Sequence, residues 1–155
     1  MTNNDILRRL RYAFDFSDGA LVSLFALADV SVTREQVADW LRRDEDPALQ
    51  PLSDELLATF LNGFINQKRG KREGVEAKVE ARLNNNGILR KLKIALNLQE
   101  ADMLEIMELA EMPLGKAELT ALFRKPDHRH YRECKDQILR RFLQGVQLKY
   151  RGPGG

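Results

Sequence analysis

At 155 residues the chain has room for one medium domain or two small ones, and a hydrophobic content of 43% is enough for a packed core. One cysteine, Cys134, excludes an intrachain disulfide and suits a reducing compartment. A net charge of +2 excludes a uniformly basic nucleic-acid coat, but the charge is uneven: residues 1–70 carry 8 Lys/Arg against 11 Asp/Glu, and residues 84–155 carry 13 against 9.

The opening residues lack the basic and apolar regions of a secretion signal. The longest apolar stretch, near Ala20 to Ala28, is too short to span a bilayer, so the expectation is a soluble, cytoplasmic protein. Ile6, Leu7, Leu10, Ala13 and Phe14 recur at helical spacing and predict a first helix, with Asn4 at the place of its N-cap. A second helix is expected after Ser17, with Leu21, Leu24, Phe25 and Ala28 inward. Thr33-Arg34-Glu35-Gln36 fits a capping box that opens a third, anchored by Val37, Trp40 and Leu41. Asp44-Glu45-Asp46-Pro47 breaks the chain before a fourth helix bearing Leu56, Leu57, Phe60, Leu61, Phe64 and Ile65.

Residues 85–152 then repeat residues 3–70 without a gap. At a shift of 82 there are 17 identities in 68 positions, enough to read the second half as a copy of the first. Ile88, Leu89, Leu92, Ala95 and Leu96 rebuild the first stripe, with Asn86 as its expected cap. Glu100 to Ala110 rebuilds the second helix. Ile138, Leu139, Phe142, Leu143 and Val146 rebuild the fourth. Gly63 and Gly145 fall at one place inside the fourth helices. A glycine there costs about 1 kcal/mol relative to alanine, so it predicts a neighbouring helix too close for a side chain.

The expected architecture is all-α: a tandem duplication of a four-helix unit, the two copies packed as a pseudo-symmetric pair. Its parts are a first helical repeat (1–70), a charged connector (71–83) in which Val75, Val79 and Leu83 make a short stripe, a second helical repeat (84–152), and a disordered tail (153–155).

Three constellations bear on function. The junction between second and third helices has the rhythm of a helix-turn-helix, whose second helix reads base edges in the major groove. Arg34, Gln36, Arg42 and Arg43 are the candidate contacts in copy one, and Lys116, Arg124 and Lys125 in copy two. Any two short amphipathic helices give that rhythm, however, and Glu35, Asp39, Asp44, Glu45 and Asp46 oppose phosphate there. The first helices present Arg8, Arg9 and Arg11, and Arg90, Lys91 and Lys93, opposite their apolar stripes. These suit phosphate contacts or simply a solvated face; Arg8, Arg9, Arg90 and Lys91 are the candidates. Asp127-His128-Arg129-His130, with Cys134, gathers the two histidines and the cysteine, types that ligate transition metals. Flanking Arg129 and Arg132 oppose a cation, so no metal is assigned. Asp127 is expected to cap a turn entering the fourth helix, and Cys134 to be an ordinary residue where copy one has Leu52.

Several strings also carry a resemblance. They are Asn3-Asn4-Asp5-Ile6-Leu7-Arg8, Phe60-Leu61-Asn62-Gly63, Lys68-Arg69-Gly70-Lys71 and Asn84-Asn85-Asn86 with Leu89 and Lys91-Leu92. Most specific are Pro126-Asp127-His128, Arg132-Glu133-Cys134, Asp136-Gln137, Leu139-Arg140 and Phe142-Leu143 with Gly145. Together they resemble the bacterial YehS-like proteins, domain of unknown function 1456, over nearly the whole chain. The resemblance implies a tandem helical domain in a bacterial cytoplasm and no reaction; Asp127, His128 and Cys134 form its motif without an implied role. No catalytic constellation, cofactor, small-molecule substrate or membrane partner is expected. The leading expectation is a non-enzymatic protein that binds nucleic acid, DNA first, through helix-turn-helix-like repeats. The alternative is a module for a protein partner or for homodimer formation, using faces such as Leu148 and Tyr150.

Overall fold

The structure is a computed structural model that describes residues 1–71 and 79–152. The expected disordered tail, and the Val75 end of the connector stripe, lie outside the described residues. Among those residues there are eight helices and no strand. They are α1 (Asn3–Phe14), α2 (Asp18–Leu27), α3 (Arg34–Trp40), α4 (Asp54–Arg69), α5 (Asn85–Ala95), α6 (Glu100–Leu109), α7 (Lys116–Leu122) and α8 (Asp136–Tyr150). None of them is long and apolar enough to cross a membrane.

Helix starts follow local chemistry. Ser17, Ser53 and Thr33 accept from amides of the first turns of α2, α4 and α3, and Thr33 closes the expected capping box with Gln36. The caps of α1 and α5 are a correction. They are Thr2 and Asn84, not Asn4 and Asn86. Asn4 and Asn86 lie one turn inside and are buried, because each ties a loop of its own repeat to the core. The Asn4 amide donates to the carbonyls of Trp40 (2.9 Å) and Gln50 (2.8 Å), and its oxygen accepts from Leu52 N–H (3.0 Å). Asn86 repeats this with Leu122, Arg132 and Cys134. A buried amide with three partners is costly to replace.

Helix ends repeat too. Asp15, Asp29, Asn97 and Glu111 are left-handed at φ of 52° to 62°, and the next amide bonds back into the final turn, as in Phe16 to Arg11 and Met112 to Met107.

The packing crosses between repeats. α2 lies on α4 and α6 on α8 within each copy, but α1 packs mainly on α8, and α4 on α5. The paired helices run parallel: Leu83 N–H meets Asp54 (2.9 Å) at the start of one pair, and the Met1 ammonium meets Asp136 (3.0 Å) at the start of the other. At the far end of the second pair the Phe14 and Tyr150 rings meet at a tilt, their centroids 5.3 Å apart. The copies are therefore a pseudo-symmetric pair as expected, and one continuous core joins them, with Phe25, Phe60, Phe64 and Phe142 fully buried. A repeat of this length buries too little surface alone, which is why each gives its first helix to the other.

The glycine expectation holds. A Cβ on Gly63 would lie 1.8 Å from the Leu24 carbonyl oxygen, and one on Gly145 would lie 2.2 Å from that of Ile106. Two helix pairs touch backbone to backbone.

Candidate nucleic-acid interface

Two of copy one's four helix-turn-helix candidates, Gln36 and Arg42, are occupied. The Gln36 side-chain oxygen accepts from Thr33 N–H (2.9 Å), closing the cap. Arg42 is held by Asp39 (3.0 Å) and Asp46 (3.3 Å), which raise its pKa through hydrogen bonding first. Arg34 lies over Gly19, its Nη2 2.8 Å from where a Cβ would stand, at the start of α2. Arg43 and Arg9 are exposed. Arg8 is gripped by Asp5 and by Asp44 (2.7 Å), and donates to the Arg42 carbonyl. α3 has seven residues, about 10 Å, and Glu35 and Asp39 stand on it. Carboxylates thus hold Arg8 and Arg42 on this face.

Copy two is different. Arg90 of α5 and Arg124, just past α7, both line two adjoining cavities of about 1070 Å³ and about 1000 Å³. The first is also lined by Arg69, Arg82, Lys91 and Tyr131, and the second by Lys93, Lys125 and His128. Ile94, 47% exposed, belongs to both and supplies an apolar floor between the cations. Arg90 donates to the Phe123 carbonyl (3.2 Å), and Lys93 lies 5.7 Å from the centre of the Phe123 ring. Arg69, Arg90, Arg124 and Lys125 each lack a carboxylate in ion-pair contact among the described residues. Lys91 is the exception: its ammonium meets Asn62 Oδ1 at 2.7 Å and Glu80 at 3.3 Å, between the repeats. The first helix and the third-helix end of copy two, proposed separately from sequence, thus meet on one face. Lys116 lines neither cavity.

The Pro126-Asp127-His128 motif forms the rim. Two successive turns shape it, His128 N–H to the Lys125 carbonyl and Tyr131 N–H to that of His128. Asp127 caps no helix, a second correction: the N-cap of α8 is Lys135, eight residues on. Burial, then Arg124 and His130, lower the His128 pKa, and Arg124 Nη1 stands 3.4 Å from its ring. Cys134 is buried, and burial followed by the Asp136 charge pushes its thiol up to about 11. It packs where Leu52 packs in copy one. Among the described residues, Asp127, His128 and Cys134 form no three-ligand cluster able to hold a metal. Tyr150 packs against the Phe14 ring but remains 40% exposed, and Leu148 is half-buried.

Arg69, Arg82, Ile94 and Tyr131 escaped sequence reading as interface residues. The signal for Arg69 was present: it is one of the positions identical between the copies.

A family model described as "Protein of unknown function (DUF1456)" matches residues 3–70 and again 85–152. The chain is similar to the uncharacterized protein YehS of Escherichia coli strain K12, 44% identical over 150 residues that cover 96% of each chain. No solved structure matches it.

Proposed function

This chain belongs to the DUF1456 family, and within that family's two-repeat frame we propose that it is a non-enzymatic nucleic-acid-binding protein whose contacts come from the second repeat. The observation that carries the reading is the run of cations that, among the described residues, have no carboxylate partner along two adjoining cavities, Arg69, Arg90, Arg124 and Lys125 foremost. Lysines and arginines set in a row bind phosphates and release counterions, whatever the base sequence. Apolar Ile94 and half-buried Tyr131 and Phe123 line the same groove, as in proteins that hold unstacked bases beside a basic track. The short, acidic α3 argues for backbone contact over base-edge reading. Arg34, Gln36, Arg42 and Arg43 accordingly drop to a minor role.

The test is titration of the protein into labelled single-stranded and duplex DNA at about 50 and about 200 mM salt. Binding at low salt that collapses at high salt, and weakens in Arg90→Ala and Arg124→Ala, supports the reading. No binding at either salt retires it in favour of a protein partner. That second reading is favoured by Leu27 and Leu109, the same residue at one position of both repeats, 37% and 41% exposed.

A further inference from the structure

Three arginines are identical between the repeats: Arg8 with Arg90, Arg42 with Arg124, and Arg69 with Arg151. The pseudo-two-fold sorts them into two equivalent faces. On one face each of these three arginines has its carboxylates. Arg8 has Asp5 and Asp44, Arg42 has Asp39 and Asp46, and Arg151 reaches Asp15 across the repeat boundary at 3.5 Å while lying 4.0 Å over the Tyr12 ring. On the other face the arginines remain and all five carboxylates are gone. The positions of Asp5, Asp44, Asp39, Asp46 and Asp15 are taken by Gly87, Pro126, Ala121, His128 and Asn97. The three arginines so exposed, Arg69, Arg90 and Arg124, line one cavity of about 1070 Å³.

We infer that this cavity is a phosphate-binding site, in which a phosphate ester takes the place of the carboxylates that neutralise the same arginines on the opposite face. Four guanidinium groups, these three and Arg82, line one concavity and repel one another, and a bound dianion relieves that repulsion. The guanidinium fork accepts a phosphate in two-point contact as readily as a carboxylate, and the low-dielectric wall of Leu83, Ile94 and Tyr131 strengthens the attraction. Among the described residues the carboxylate that lines this cavity is Glu80, and it is already engaged by Lys91. Glu100 and Asp127 line the adjoining cavity and bound the site on that side. The inference deepens the proposed function and rests on it only for the source of the phosphate, a nucleic-acid backbone or a small phosphorylated molecule.

The structure supplies its own test. Ala121→Asp with His128→Asp rebuilds around Arg124 the pair of carboxylates that the protein already accommodates around Arg42. Binding of inorganic pyrophosphate is measured by calorimetry, and of a single-stranded thymidine 15-mer by fluorescence anisotropy, for the parent and the double variant. The expected result is that the parent binds and the variant binds at least about tenfold more weakly, the scale of losing one charge-assisted contact. Equal binding of the strand by both overturns the site and leaves the nucleic-acid reading standing. Binding of pyrophosphate without the strand upholds the site and defeats that reading. Binding of neither probe by the parent overturns both. Should the double variant not fold, as judged by its circular dichroism, Asn97→Asp and Arg124→Ala carry the same comparison.

Discussion

Replacing Gly63 by alanine sets two effects against each other. Helix propensity favours alanine by about 1 kcal/mol. The new Cβ, however, would stand 1.8 Å from the Leu24 carbonyl oxygen, and ordinary contact begins at 3.4 Å, so α2 must withdraw by the difference, about 1.6 Å. The obstacle is backbone, so no rotamer change relieves it. A gap of about 1 Å already forfeits up to half of a dispersion contact, and Leu21, Leu24 and Phe25 of α2 are all fully buried against α4. Overpacking of this kind costs about 1–3 kcal/mol, and a backbone clash belongs at the upper end. After the propensity gain, Gly63→Ala should destabilise by about 2 kcal/mol, with a Tm about 5 °C lower. Gly145→Ala should lose somewhat less, because its nearest carbonyl oxygen is 2.2 Å away. Gly19→Ala is the control, since its neighbour is the end of the flexible Arg34 side chain. Urea denaturation of the three variants decides it. A Gly63→Ala protein as stable as its parent, or no worse than Gly19→Ala, would refute the close-approach argument.

Asn86→Ala leaves the Cys134 N–H and the Leu122 and Arg132 carbonyls without their partner, and should cost about 2–4 kcal/mol by urea melts; a loss under about 1 kcal/mol would show the loop is held otherwise. Glu111→Gly removes a left-handed non-glycine residue at φ 58° and should raise stability by about 0.5–1 kcal/mol, with no gain arguing against strain there. Asp54 and Asp136 have lowered pKa values, chiefly through hydrogen bonds from Asn3 and Asn85, then from Leu83 N–H and the amino terminus. A lowered folded-state value gives stability that is present above the ordinary aspartate value of 3.8 and lost as pH falls through the folded one. Thermal melts should therefore weaken below about pH 4, and less steeply in Asp54→Asn; an unchanged slope would exclude this carboxylate as a source. Cys134, with its thiol raised to about 11, should resist iodoacetamide at pH 8 until the protein is unfolded, and rapid labelling of the native state would contradict its burial.

The helices were legible because apolar stripes at a 3.6 spacing and Ser/Thr caps are local signals, and the 82-residue shift supplied each one twice. The caps of α1 and α5 were displaced because a run of polar residues, Thr2-Asn3-Asn4 or Asn84-Asn85-Asn86, offers several side chains able to cap, and only burial separates the one that caps from those that pin a loop. Helix partners were illegible for a deeper reason. The stripe Ile6, Leu7, Leu10 states that α1 is buried, not that α8 covers it. At the site, Arg90, Lys91, Arg124 and Lys125 were read in two separate groups, and packing of α5 beside the end of α7 united them. The pairing of Arg42 with Asp39 and Asp46 was readable at i±3 and i±4 spacing. The Arg8–Asp44 and Arg151–Asp15 pairs span too much sequence for that.

The exchange of first helices has a consequence for assembly. A single repeat whose α1-type helix seeks the fourth helix of another copy is a self-complementary, isologous unit, and fusing two such units demands no new contact surface. Because α4 and α5 run parallel, the covalent tether must retrace the 16 residues of α4, about 24 Å, which takes at least about seven extended residues. A tether trimmed below that length leaves each α5 unable to reach its own α4. The same interfaces then close between two chains, as a domain-swapped dimer. The two equivalent interfaces now differ, with the Phe14 ring tilted against Tyr150 in one and a lysine held between Asn62 and Glu80 in the other.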